Sequence, residues 1–169
     1  VDAGHDFTAS VTSPTEIVAD DHQWVCTGFS VDGGASQADT SHTFTSVQAP
    51  HTIVFSWKEQ FWIKVNSAYD SPTTSQWVDQ GGSLTVGVTS PADDDGAGTR
   101  YRCKGYTLDS NAPVTDGSKS YAFTTVQSAH VITFNWIAQY QLVVTSAYDS
   151  PNPSGSDNWY DTGTLVSAS

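Results

Sequence analysis

The chain has 169 residues and a formal net charge of −12, with 18 acidic side chains against only six Lys and Arg. Binding to nucleic acid is therefore not expected, because phosphate contacts need cationic side chains. The sequence contains no stretch of 18 apolar residues, so no transmembrane segment is predicted.

The first segment of the chain is one half of an internal repeat. Residues 1–29 match residues 78–106 without a gap, at an offset of 77. Both segments contain T-S-P, at 12–14 and at 89–91, and each contains one cysteine. Proline after small polar residues is typical of a turn, so both repeats are predicted to turn at the same point.

The repeat continues further along the chain. Residues 41–75 match residues 120–154 at 18 of 35 positions, now at an offset of 79, and both segments contain S-A-Y-D-S-P. Three added residues raise the offset to 82 before Trp159. Residues separated by these offsets are equivalent, and a repeat of this kind determines the architecture.

The phase of the repeat predicts the domain organisation. Residues 1–59 form an incomplete β module that lacks its first strand, and residues 60–138 form a complete one. Residues 139–169 contain a further copy of the first strand and its turn. The strand that the first module lacks is thus found at the other end of the chain.

Alternating apolar and polar residues predict strands, and helical periodicity is absent. The predicted strands of the complete module are 60–68, 82–89, 99–107, 119–126 and 130–137. We therefore expect an all-β fold of two tandem, small antiparallel β-sandwich or β-sheet modules, with an extra donor-type strand at the C-terminus.

The modules are joined by very short junctions. The last strand of each module leads almost directly into the next first strand, through K-E-Q at 58–60 and I-A-Q at 137–139. Such a junction is too short for a flexible linker. It is either a tight hairpin or a single strand that passes from one module to the next.

The motifs of both repeats resemble those of a known family. Their consensus is Q-Y-x-L-x-V-x-S-A-Y-D-S-P, W-x-D-x-G, V-T-S-P, R-Y-x-C-x-G-Y and F-x-x-V-x-x-x-H-x-I-x-F-x-W. It resembles the short all-β repeats of secreted archaeal and bacterial surface proteins, the bacterial-repeat modules related to the listerial internalin B-type repeat. The resemblance implies an extracellular structural or spacer role without catalytic residues. The family pattern reads aromatic-x-Gly-Trp, where this chain has Cys26 and Phe29, and Cys103 and Tyr106, at the aromatic and Trp positions.

Cys26 and Cys103 are equivalent, and two cysteines in a secreted chain make a disulfide a candidate. Translation-related repeats place equivalent residues a full module apart, so a bridge within one chain needs modules packed face to face. Buried free thiols and a bridge between two chains are the alternatives. Redox catalysis is not predicted, because no C-x-x-C is present.

Asp93, Asp94 and Asp95, followed by Gly96, form a candidate calcium-binding loop. Ca²⁺ takes several oxygen ligands around a sharp turn, but the spacing is not that of D-x-D-x-D-G. A solvated acidic loop is the alternative interpretation. No cofactor is predicted other than this candidate ion.

An enzymatic function is not predicted, and no catalytic residue is assigned. Nothing in the chain resembles G-x-S-x-G, and no Cys/His pair has zinc-ligand spacing. His51 and His130 are equivalent, which favours a packing or turn role. The repeated aromatic residues Trp77 and Trp159 could stack on sugars, so a carbohydrate-binding module is one alternative function.

The leading hypothesis is a structural subunit of an extracellular, pilus-like filament. A subunit whose first module lacks a strand exposes a sheet edge, and residues 139–151 of the next subunit would fill it. Tyr140, Leu142, Val144 and Tyr148 are the predicted interface residues, and other copies of the chain are the predicted partners. The second alternative is a spacer of a cell-surface adhesin.

The expected location is extracellular or at the cell surface. The chain begins at Val1 and shows no basic-plus-apolar leader, which is typical of a mature protein whose signal has been removed.

Overall fold

A computed structural model describes residues 4–93, 95–150 and 158–167. Every regular element in these ranges is a β-strand, and none of the described residues forms a helix that could cross a membrane. The predicted all-β class is confirmed. The strands are β1 (Phe7–Ser10), β2 (Thr15–Val18), β3 (His22–Val31), β4 (Ser41–Phe44), β5 (Ile53–Ser67), β6 (Gln76–Asp79), β7 (Leu84–Gly87), β8 (Thr99–Leu108), β9 (Ser120–Phe123), β10 (His130–Gln141) and β11 (Trp159–Asp161).

Contacts divide the chain into two compact units. Unit 1 comprises 1–63, 76–83 and 124–129, and unit 2 comprises 64–75, 84–123 and 130–169. The predicted module boundaries after residues 59 and 138 stay predictions.

In unit 1 the strands pair antiparallel in two groups. β1 pairs with β4, and β3 lies between β2 and the first part of β5. β6 returns alongside β5 and pairs with it. The buried hydrophobic residues of this unit are Phe29, Phe61, Ile63, Val78 and Val126.

In unit 2 the same pairs recur. β7 pairs with β9, β8 pairs with β10, and β11 returns alongside the end of β10. The buried hydrophobic residues of this unit are Val65, Val86, Ala92, Cys103, Phe123, Ile132 and Phe134.

The pairing register is the same in equivalent strands. Phe7 lies opposite Phe44 in the β1–β4 pair, and their equivalents Leu84 and Phe123 lie opposite each other in β7–β9. Because a one-residue slip would turn every side chain to the other face, the shared register means that equivalent side chains point to the same face of their strand pair.

A β-bulge occupies the same place in both long strand pairs. It separates Cys26 from Gly28 in β3 and Cys103 from Gly105 in β8. Both glycines have φ close to +134°, and an added Cβ would lie 2.1 Å from a backbone carbonyl oxygen, so no other residue fits there.

The short junctions are continuous strands. β5 runs from Ile53 to Ser67 straight through K-E-Q, and β10 runs through I-A-Q. Of the two alternatives, the single passing strand is therefore right and the tight hairpin is wrong. The predicted strand at 60–68 also began too late, by seven residues.

The C-terminal segment is a strand over only part of its predicted length. β10 ends at Gln141, and residues 142–150 contain no regular strand. Residue 151, the end of the predicted donor strand, lies outside the described residues.

Candidate functional site

An open apolar groove lies in unit 1. It encloses about 360 Å³ and is lined by Phe7, Phe44, Val47, Ala49, Pro50, His51 and Ile53. The ring of Phe44 stacks on His51, at 5.2 Å between centroids. A concave site lined mainly by apolar side chains can accept apolar side chains of another segment.

A histidine–aspartate pair fixes one wall of this groove. His51 Nδ1 lies 2.7 Å from Asp32 Oδ2, and Asp32 Oδ1 accepts a hydrogen bond from the Thr52 amide. The bond to His51, together with that amide, lowers the pKa of Asp32. The equivalent pair, His130 and Asp109, has the same geometry, so the predicted packing and turn role of these histidines is confirmed.

The equivalent surface in unit 2 is closed. Phe123, Ile132 and Phe134 are 6%, 0% and 2% exposed. Their equivalents Phe44, Ile53 and Phe55 in unit 1 are only half-buried. Residues of the same type in the same register therefore form a finished core in one unit and an open groove in the other.

The strand edge beside the groove is also uncovered. Val54 and Trp57 on β5 are 55% and 36% exposed. In unit 2 their equivalents on β10 contact the end of β5. Asn66 Nδ2 lies 3.4 Å from Thr133 Oγ1, and Trp136 Nε1 donates to Ser67 Oγ at 3.0 Å.

The last part of the chain forms a hairpin that sequence reasoning did not identify. β11 pairs with β10 so that Gln139 lies opposite Asp161, just as Gln60 lies opposite Asp79 in the β5–β6 hairpin. The signal was present in the sequence, since the motif W-x-D-x-G occurs after both strands.

Charged side chains hold the two hairpins in place. Arg102 Nε donates to Asp161 Oδ1 at 3.1 Å, and Lys58 Nζ lies 2.9 Å from Asp79 Oδ1. The bond from Arg102 lowers the pKa of Asp161, and the bond from Lys58 lowers that of Asp79.

The predicted interface residues lie on or beyond the end of β10. Tyr140 is 52% exposed and Tyr148 is 101% exposed, while Leu142 and Val144 are half-buried. Their equivalents on β5 and in the loop after it are mostly core residues. Phe61, Ile63 and Val65 are 8%, 0% and 8% exposed.

Cys26 and Cys103 are not bonded to each other in the structure, and a bridge between two chains stays a prediction. Cys103 is buried, and its Sγ donates to the carbonyl oxygens of Gly105 and Ser118. Cys26 is half-buried and its Sγ donates to the Gly28 carbonyl. Each thiol caps the bulge of its own strand, which explains the equivalent positions.

The acidic loop is partly described. Asp94 lies outside the described residues, and no group of three metal-ligating side chains is found among the rest. Asp95 Oδ1 accepts hydrogen bonds from the amides of Ala97 and Thr99, at 2.7 and 3.0 Å. These bonds hold the pKa of Asp95 below its usual value, with Thr99 the larger cause. Its carboxylate thus stabilises a turn.

The repeated tryptophans make local contacts. Trp77 packs against Trp62 with ring centroids 5.1 Å apart, and the guanidinium of Arg100 lies 4.2 Å from the Trp159 ring centroid. These contacts occupy ring surface that sugar stacking would need.

Comparison with family models, with curated proteins and with solved structures finds no match to this chain. The resemblance to bacterial surface repeats therefore stays a prediction. The groove in unit 1 and the exposed C-terminal segment are the features of the chain that bear on its function.

Proposed function

We propose that the chain is a structural subunit of an extracellular filament that polymerises head to tail by β-strand complementation. Residues 142–150 of one subunit fill the groove in unit 1 of the next. Because the surfaces in contact differ, the assembly is heterologous and extends into an open fibre. No catalytic step is involved, and each partner is another copy of the chain.

The observation that carries the proposal is a matched pair of surfaces. Unit 2 contains residues 64–75, and within it Val65 is 8% exposed. The equivalent residues 143–154 lie at the far end of the chain, where Val144 is only half-buried. Residues 64–75 thus belong to a closed core, whereas the described residues among their C-terminal equivalents are largely exposed. Unit 1 offers a groove lined by the same residue types as that closed core.

The register of insertion follows from the β5 pattern. Leu142 and Val144 are equivalent to the buried Ile63 and Val65, and Val143 is equivalent to the exposed Lys64. Side chains alternate between the faces of a strand. Leu142 and Val144 therefore enter the groove, and Val143 faces solvent.

A matched pair of substitutions tests this register. Val144→Asp should abolish filaments seen by negative-stain microscopy, because burying an unpaired carboxylate costs several kcal/mol. Val143→Asp should leave them nearly unchanged, and a chain lacking 143–169 should stay monomeric in sedimentation. Filaments that form equally well with both substitutions, or without the segment, would overturn the proposal in favour of a spacer repeat.

A further inference from the structure

The loop that follows β5 is anchored by one aromatic ring in unit 2. The ring of Tyr69 stacks on Tyr101, with centroids 3.6 Å apart and planes at 11°. It also meets Trp136 edge-on at 5.9 Å. Stacked and edge-on rings stabilise a contact beyond the area they bury, so Tyr69 holds this loop against β8 and β10.

Polar bonds fix the same loop at two further points. Trp136 Nε1 donates to Ser67 Oγ, and the Thr89 amide donates to Asp70 Oδ2 at 2.6 Å. The loop S-A-Y-D-S-P therefore supplies an acceptor, a ring and a second acceptor to one surface. Its three partners are Trp136, the Tyr101 ring and the backbone of Thr89.

Unit 1 presents an equivalent surface, and no such loop lies on it among the residues that the structure describes. Trp24 and Trp57 take the places of Tyr101 and Trp136, and the strand register is the same, with Cys26 opposite Trp57. Trp57 is 36% exposed, and among the described residues no aromatic ring contacts either tryptophan. Tryptophan is enriched among the residues that contribute most of the binding energy in protein interfaces.

The C-terminal segment carries the loop that fits this surface. Residues 146–151 repeat S-A-Y-D-S-P without a change, and Tyr148 is 101% exposed. Ser146 Oγ accepts from the amides of Tyr148 and Asp149, at 3.3 and 3.2 Å, whereas Ser67 Oγ donates to the Tyr69 carbonyl, so these local bonds must open before the loop takes the form seen in unit 2. A partner that covered this ring would remove its apolar surface from water, which is favourable.

We infer that Tyr148 of one subunit docks on Trp24 and Trp57 of the next, while Ser146 accepts from Trp57 Nε1 and Asp149 from the Thr12 amide. The inference rests on the proposed filament and adds a second anchor to it, outside the groove. The groove binds the strand residues Leu142 and Val144, whereas this surface recognises the loop. The partner is a second copy of this chain, because residues 146–151 repeat the loop that lies on the equivalent surface of unit 2.

Two substitutions of the anchor ring measure its contribution. Tyr148→Ala should raise the critical concentration for filament formation by about 30-fold, as expected when an interface hot spot is lost. Tyr148→Phe retains the ring and should stay within about 3-fold of the unchanged chain. If Tyr148→Ala assembles like the unchanged chain while the chain lacking 143–169 does not assemble, the anchor is wrong and the filament proposal stands. If the shortened chain also assembles, the filament proposal itself fails.

Cross-linking tests which ring Tyr148 meets. Trp24→Tyr should place two tyrosines in the geometry of Tyr69 and Tyr101, so photo-oxidative tyrosine coupling should give a ladder of covalent multimers on denaturing gels. The double variant Trp24→Tyr with Tyr148→Phe removes one partner and should lose the added ladder. Docking between subunits would be overturned if the ladder persisted in the double variant. It would also be overturned if the two tyrosines were coupled only within single chains, which leaves the mass on the gel unchanged. Thermal unfolding of each variant establishes that the single subunit is still folded.

Discussion

The groove of unit 1 and the closed core of unit 2 are built from equivalent strands in the same register. Ile132 is fully buried between its neighbours, whereas the equivalent Ile53 lines an open groove. Unit 2 also contains residues 64–75, which end one long strand and form the following loop. Within unit 2 this segment bonds to Thr133 and Trp136 on β10. We attribute the closed core of unit 2 to this segment, which lies earlier in the chain than the strands it contacts.

The largest expected effect comes from closing the groove within one chain. A copy of residues 139–159 can be placed directly before Val1. Trp159 of this copy then precedes Val1 just as the equivalent Trp77 precedes Val78. Burial of Leu142, Val144 and Tyr148 contributes roughly 1.5–3 kcal/mol each. The midpoint of thermal unfolding should therefore rise by about 10–30 °C. The extended chain should also stay monomeric, because its groove is already filled.

The control for this experiment is the same extension carrying Leu142→Asp and Val144→Asp. It has the same length and should neither raise the unfolding midpoint nor block assembly. An intact extension that behaves like this control would show that unit 1 does not accept the segment.

Equivalent tryptophans provide the next comparison. Trp136→Ala removes the bond to Ser67 and the contact with Tyr69, and should lower the free energy of unfolding of the single subunit by about 3–4 kcal/mol. Trp57→Ala should lower it by less than about 1 kcal/mol, because that ring is 36% exposed and lacks both contacts. Chemical denaturation of dilute protein measures both values. Equal losses would mean that the two surfaces are equally covered.

The bulge glycines should respond alike, in contrast to the tryptophans. Gly28→Ala and Gly105→Ala each place a Cβ 2.1 Å from a carbonyl oxygen at a φ that side chains rarely adopt. Each should lower the free energy of unfolding by about 2–3 kcal/mol. Similar losses would confine the difference between the units to the groove, while a loss at only one glycine would show that the frameworks themselves differ.

Period-2 alternation and turn residues predicted five strands of the complete module, but not β6. The start of β5 was missed because Lys58, Glu59 and Gln60 look like a polar junction. Lys58 and Gln60 both donate hydrogen bonds to Asp79, and the Gln60 Nε2 to Asp79 Oδ1 distance is 2.6 Å. These bonds to the neighbouring strand allow three polar residues to lie within β5. The partner lies about 20 residues away, and local patterns do not reveal such distant pairs.

The candidate site was predicted in part for the same reason. The sequence pointed to Tyr148 and the alternating residues before it, since a repeated motif is visible directly. Trp24 and Trp57 were missed, because their importance depends on which rings pack on their equivalents in unit 2. The return of β11 onto β10 was also missed, since the bond between Gln139 and Asp161 crosses a loop of added residues.

The smallest expected effect concerns the carboxylates that hold the two hairpins. Asp161, bonded to Arg102, has a pKa below its ordinary value of 3.8, and Asp79 is lowered in the same way by Lys58. A carboxyl group whose pKa is lower in the folded state stabilises the fold above its unfolded pKa. That contribution is lost as the pH falls through the folded value.

Between pH 6 and pH 3 the unfolding midpoint of Asp161→Asn should therefore fall slightly less than that of the unchanged chain. The difference corresponds to at most about 1 kcal/mol, because both ion pairs are partly exposed. Asp79→Asn should behave the same way, since the two hairpins share one register. A midpoint that falls more steeply in either variant would contradict the assigned sign.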